Sequence, residues 1–291
     1  MKVTRAVQPV LPLCRHLFPS SLAGLSMALL KATALELAIL AGHLLLYPSG
    51  MIQERRSAPP LPPPDAAPLP TEAKPPVVLL HGFIDNRSVF VLLRRNLAQH
   101  GRQHIESLNY SPLTCDIRTA AELLGHHIEE ICERTGQPQV DIVGHSLGGL
   151  IARYYVQCLG GDLHVRRLVT LGTPHSGTRV APLANAHPIV RQMRPDSEVI
   201  EELRRPAPGC RTHIVSFWSD LDHWMDPLET ACIDHPDLLV HNVQVSGIGH
   251  LALPVHPAVA AGIRQVLDHE PTAKTPAAAP APANTGGLTV A

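Results

Sequence analysis

The chain has 291 residues, enough for one medium domain with appendages, and a formal net charge of −1. That balance, with aromatics at only 3% and no basic cluster, argues against a nucleic-acid partner. The 18 histidines are scattered and no Cys-x-x-Cys pair occurs, so the pattern calls for no metal site and no cofactor.

Residues 1–20 carry Lys2, Arg5 and Arg15 and no acid, and residues 22–46 are nearly all Leu, Ala, Ile, Met and Gly. Such a run is long enough to span a bilayer. Lys31, Glu36 and His43 interrupt it. At 100° per residue Lys31 and Glu36 point about 140° apart, and a mid-span charge costs on the order of 3 kcal/mol on insertion. Three readings stay open for residues 1–50: a signal anchor, an amphipathic helix lying on a membrane or on the domain, and a cleaved signal peptide. Residues 51–76 follow as a linker, with nine prolines in the nineteen positions 58–76. A polyproline spacer of that length reaches roughly 50–60 Å. Residues 270–291 read as a disordered Ala/Pro tail, which leaves 77–269 as the globular domain.

Within that domain strands and helices alternate. Val77-Val78-Leu79-Leu80 is a buried strand. Phe90, Leu93 and Leu97 mark a helix closed by Gly101, and residues 104–110 a second strand. Ile117, Ala121, Leu124, Ile128 and Ile131 repeat at helical spacing up to Gly136. Further strands are read at 139–143, 165–171, 212–218 and 239–245, and a closing helix at 257–267. Unbroken apolar strands between helices predict an α/β fold with a mostly parallel sheet covered on both faces. Sites in such sheets lie at the carboxyl ends of the strands.

At one such end stands Gly144-His145-Ser146-Leu147-Gly148, between a β-branched run and a helical pattern. In that context the serine is a candidate nucleophile on a tight turn, where Gly144 and Gly148 remove collisions. A serine hydroxyl needs a histidine to take its proton and a carboxylate to hold the imidazole. His250 follows the last strand in Ser246-Gly247-Ile248-Gly249-His250. It is preferred to His235, His241 and His256, none of which sits just past a strand end. The acid is expected after the preceding strand, in Ser219-Asp220-Leu221-Asp222. Asp222 is the first choice, and Asp220 and Asp226 stay open. A tetrahedral intermediate needs two donors: the backbone N–H of Leu147, and that of Phe83 in His81-Gly82-Phe83 after the first core strand. His81 suits a structural loop position.

These motifs, with Leu171-Gly172-Thr173-Pro174-His175, together resemble the bacterial triacylglycerol lipase/esterase branch of the α/β-hydrolases over about 77–268. The resemblance implies an α/β-hydrolase fold and ester hydrolysis through an acyl-serine. Laid on that branch's acid and histidine loops, the chain puts the acid at Asp222 and the base at His250. Some relatives hold calcium, for which Asp226, Asp234 and Asp237 are weak candidates here.

The stretch from Gly177 to Cys210 is too long for a simple connection and reads either as a cap over the site or as a packed excursion. Cys115 with Cys132, and Cys210 with Cys232, are candidate disulfides, the alternative being reduced, buried thiols. The expected substrate is a small-molecule or lipid ester, with membrane association through residues 22–46 and an extracytoplasmic location, anchored or secreted. No obligate protein partner is evident. Acyl transfer or thioester or amide cleavage would use the same groups. A tethered binding protein on a hydrolase fold would show a missing member, and none is missing.

Overall fold

The computed structural model describes residues 27–51, 74–83, 85–110, 115–180 and 187–269. Most of the proline-rich linker, the 270–291 tail and Cys14 lie outside them. Six strands form one parallel sheet in the order β2-β1-β3-β4-β5-β6. They are β1 (Val77–Leu80), β2 (Ile105–Leu108), β3 (Val140–His145), β4 (Val165–Leu171), β5 (His213–Ser219) and β6 (Leu239–Val245). Helices α2 (Val91–Gln99), α3 (Ile117–Thr135), α4 (Leu147–Cys158) and α7 (Pro257–Asp268) cover its faces.

The sequence patterns explain the layers. β1 and β3 are buried along their whole length, as strands covered on both faces must be. One core joins α3 and α4 to the sheet through Leu124, Ile128, Leu150 and Ile151. The other joins α2 and α7 through Leu93, Leu97, Val259 and Ile263. Each such side chain contributes roughly 1.5–3 kcal/mol by leaving water. The register then aligns the strand ends. Leu80 pairs with Gly144, His145 with Leu171, Leu171 with Phe217, and Ser219 with Val245. The loops after β1, β3, β4, β5 and β6 therefore open at one edge.

The second residue of β3 is a carboxylate that the strand pattern gave no reason to bury. Asp141 is fully buried, 3.1 Å from Arg102 and 2.7 Å from Arg166. Both guanidiniums also donate to the carbonyl of Leu267. A buried carboxylate is tolerated only when paired in this way. The cluster ties the start of β3 to the end of α7.

The cysteine pairings are not formed. Cys115, Cys132, Cys158, Cys210 and Cys232 are free thiols. Cys115 precedes α3 and Cys132 lies in its last turn. At 1.5 Å per residue that is about 25 Å of helix, against the ~6 Å between Cα atoms that a disulfide spans. Burial pushes the thiols of Cys132, Cys210 and Cys232 up, and that of Cys158 up to about 11.

The apolar N-terminal run is a helix, α1 (Met27–Met51). Its residues 30–50 are long and apolar enough to cross a membrane. One stripe faces the domain: Ala32 and His43 are buried there, and Glu36 and Ile39 half-buried. Spacings of four, three and four residues put these on one helical face. Lys31, Leu37, Leu44 and Leu45 point to solvent. At the C-terminal end of α1, Asn86 donates to the Tyr47 carbonyl at 2.9 Å and Asn109 to that of Gly50 at 2.7 Å.

Candidate active site

Ser146 sits between β3 and α4 with φ 52° and ψ −121°, the sole non-glycine residue at positive φ among those described. A serine held there is strained, and the surroundings hold it. Its N–H donates to the Leu171 carbonyl at 2.9 Å, and its own carbonyl accepts from the Thr173 hydroxyl at 2.9 Å. A methyl group at Gly144 would lie 2.6 Å from the Gly149 backbone. One at Gly148 would strike the Leu80 carbonyl. Side chains are thus excluded on both sides of the turn. Leu147 opens α4, where the first N–H groups have no partner within the helix and the helix dipole favours negative charge.

His250 lies beyond β6 and is buried. Its Nδ1 is 2.8 Å from Oδ2 of Asp222, which is fully buried. The other carboxylate oxygen of Asp222 accepts the Trp224 N–H at 3.0 Å. Burial alone would push the His250 imidazole down. The Asp222 charge and hydrogen bond outweigh it, helped by Glu36 and Asp85, and hold the group above its ordinary value. Gly172 makes room for this pair. It has φ 54°, and a methyl group there would meet Asp222 Oδ2 at 2.8 Å and His250 Nδ1 at 2.9 Å.

The loop after β1 runs beside the elbow. His81 stacks on Tyr110 with ring centroids 4.4 Å apart, and the Tyr110 hydroxyl donates to the His81 carbonyl at 2.5 Å. His81 is thus structural. Deeper in the loop Asp85 is buried between His43 of α1, at 3.4 Å, and His145, at 3.5 Å. Burial pushes its carboxyl up, but the two imidazoles prevail and hold it well below the usual carboxylate range. His145 also reaches the His250 carbonyl at 3.2 Å through Nε2.

Ser146, His250, Gly82 and Phe83 line one cavity of about 400 Å³. Its other walls are mainly apolar, with Val180, Val190, Met193 and Trp224 among them. Two short helices, α5 (Pro188–Gln192) and α6 (Glu198–Arg204), occupy the stretch between Gly177 and Cys210. Ile189, Val199, Ile200 and Leu203 are fully buried in the core. Glu202 of α6 pairs with Arg118 at 2.8 Å and accepts from the Tyr154 hydroxyl at 2.6 Å. The described part of this stretch is therefore a packed excursion that supplies one wall of the cavity. Residues 181–186 lie outside the described part.

The chain matches the family described as alpha/beta hydrolase fold over residues 75–199. It is 29% identical over 113 residues to a triacylglycerol lipase of Pseudarthrobacter phenanthrenivorans, a match covering 36% of this chain and 35% of that protein. It is 29% identical over 167 residues to one of Vibrio cholerae, covering 54% of this chain and 49% of that one. The chain thus spans a third to a half of the length of these curated relatives. Among solved structures, mature Bacillus licheniformis lipase BlEst2 aligns with TM-score 0.57 at 17% identity, over 70% of this chain and 96% of that one. Aspergillus fumigatus lipase B aligns with TM-score 0.60 at 18% identity, over 68% and 53%. The six-stranded parallel sheet, the elbow and this likeness decide the fold. The domain has the α/β-hydrolase fold.

The fold brings Ser146, Asp222, His250, Phe83 and Leu147 to one edge of the sheet. The competing acids and histidines stand elsewhere. Asp220 accepts the Gly247 N–H at 3.1 Å, and Asp226 is exposed. His241 lies exposed on β6, and His256 caps α7. His235 contacts the Arg205 carbonyl at 2.9 Å. Among the described residues no group of three His, Cys, Asp or Glu side chains could hold a metal ion. Asp237 instead accepts the Ala207 N–H at 2.8 Å. Sequence reasoning missed Asp85 and the clamp of Thr173 on Ser146. Both Gly172 and Thr173 of the Leu-Gly-Thr-Pro motif touch the site, which no local pattern indicates.

Proposed function

We propose that this α/β-hydrolase cleaves carboxylic esters with apolar acyl groups through an acyl-Ser146 intermediate. The observation that carries the reading is that Ser146 and His250 line one cavity while His250 is tied to the buried Asp222 at 2.8 Å. Ser146 Oγ attacks the ester carbonyl carbon, and its proton passes to Nε2 of His250. Asp222 accepts from Nδ1–H, so Nε2 is left free to accept. The carbonyl oxygen becomes an oxyanion held by the backbone N–H groups of Phe83 and Leu147. Collapse breaks the bond to the leaving alcohol, which takes the proton from His250. Water then gives a proton to His250 and attacks the acyl-serine. Ser146 is regenerated and a carboxylic acid leaves.

The apolar walls favour an acyl chain over a polar acid portion. We assign residues 77–269 to the catalytic domain, 51–76 to a spacer, 270–291 to a tail and 1–50 to a membrane-associated segment outside the cytoplasm. The solvent-facing leucines of α1 suit a lipid surface.

The test is hydrolysis of p-nitrophenyl esters of increasing acyl length by the full chain, beside Ser146→Ala. Turnover by the parent, lost in the variant, with an optimum above acetyl, is expected. Equal turnover in both contradicts the role of Ser146. A folded parent inert on every ester contradicts ester hydrolysis and favours acyl transfer to another acceptor.

A further inference from the structure

The helix that carries the N-terminal apolar run also reaches the site. Glu36 of α1 accepts the N–H of Leu251 at 3.0 Å through Oε2 and that of Ala252 at 2.9 Å through Oε1. These are the two residues after His250. Both carboxylate oxygens are thus spent on consecutive amides of the His250 loop, a two-point clamp that a neutral or shorter side chain cannot reproduce. Gly249, on the other side of His250, admits it: a methyl group there would lie 2.5–2.7 Å from the Glu36 carboxylate. Seven residues along the same face His43 meets Asp85 beside the oxyanion loop. Two of the three groups that spoil residues 22–46 as a membrane span are therefore those that contact the site. Lys31, the third, is exposed.

We infer that α1 is a working part of the catalytic domain, with Glu36 as a positioning residue that fixes the His250 loop and supports the imidazolium formed during turnover. The inference rests on the proposed role of His250. A membrane-spanning α1 would remove Glu36 from Leu251 and Ala252, so α1 lies along the domain. Other charged or titratable groups also face His250: Asp222 after β5, His145 at the end of β3 and Asp85 after β1. His223 shares a small pocket with Glu36. All four remain in a Glu36 variant, so a change there reports Glu36.

The test compares the full-length parent with Glu36→Gln and Glu36→Ala, using Lys31→Gln as control. Glu36→Gln keeps the shape but turns an acceptor into a donor facing an N–H. Its kcat is expected to fall on the order of tenfold with KM little changed, as for a displaced catalytic group. Removing the negative charge lowers the His250 pKa, so the acid limb of the kcat/KM profile moves to lower pH. Proton NMR of the Asp222-bound Nδ1–H of His250 reads the same titration without substrate. Its midpoint should move down in both Glu36 variants and stay put in Lys31→Gln. A purely structural α1 would lower the melting temperature and leave kcat and the midpoint unchanged, and that result overturns the inference. A parent that titrates as described but hydrolyses no ester would count against the ester reading alone. If Glu36→Ala does not fold, Glu36→Gln decides.

Discussion

Two aspartates stand two residues apart after β5, and their surroundings separate them. Asp222 is fully buried against His250, whereas Asp220 is exposed and accepts the Gly247 N–H. Asp222→Asn removes the acceptor that selects the Nδ1–H tautomer. A loss of roughly 10³–10⁴ in kcat is expected. Asp220→Asn should cost less than about tenfold, since a carboxamide oxygen can still accept the same N–H. Steady-state kinetics of both variants check this, and the reverse order would move the acid to Asp220. The base must be neutral to accept the serine proton. Because His250 is held above its ordinary value, the acid limb of kcat/KM should lie above the ordinary histidine value of about 6.5, with activity falling as pH drops through that limb and retained on its alkaline side. These residues were legible because each follows a strand. Asp85 and Glu36 were not, because burial and partners give them their roles. Leu251 and Glu36 are 215 positions apart in the chain, and no local pattern connects them.

At the scale of elements, the strands and long helices were readable. β1 and β6 fall where the apolar runs put them, and α3 spans the helical repeat from Ile117. Ends drifted by a residue or two, as at β3, which reaches His145 because the strand runs straight into the elbow. The stretch holding α5 and α6 was ambiguous between cap and packed excursion. Its apolar residues suit either, and only their neighbours decide. Leu203 of α6 is fully buried in the larger core. Leu203→Ala should therefore destabilise the protein by about 2–5 kcal/mol, read by urea unfolding. A freely moving cap would show no change in unfolding free energy. The helix α1 was open among three readings for the same reason: composition measures how apolar a segment is, not what it lies against.

Over the whole molecule, a parallel sheet sets strand ends side by side, and parts from five loops meet at one edge. The fold supplies the elbow, the buried Asp222–His250 pair and an apolar cavity, and α1 adds a carboxylate from the far end of the chain. In the proposed mechanism Ser146 is the nucleophile that this arrangement activates. The most direct measurement is intact-mass and peptide mass spectrometry of the full chain after exposure to an alkyl fluorophosphonate. Attack by Ser146 Oγ displaces fluoride and leaves one phosphonyl group on the enzyme. A single adduct is expected, on the peptide containing Ser146, absent in Ser146→Ala and formed far more slowly in His250→Ala. An adduct on another residue, or equal labelling of the folded Ser146→Ala protein, would contradict it.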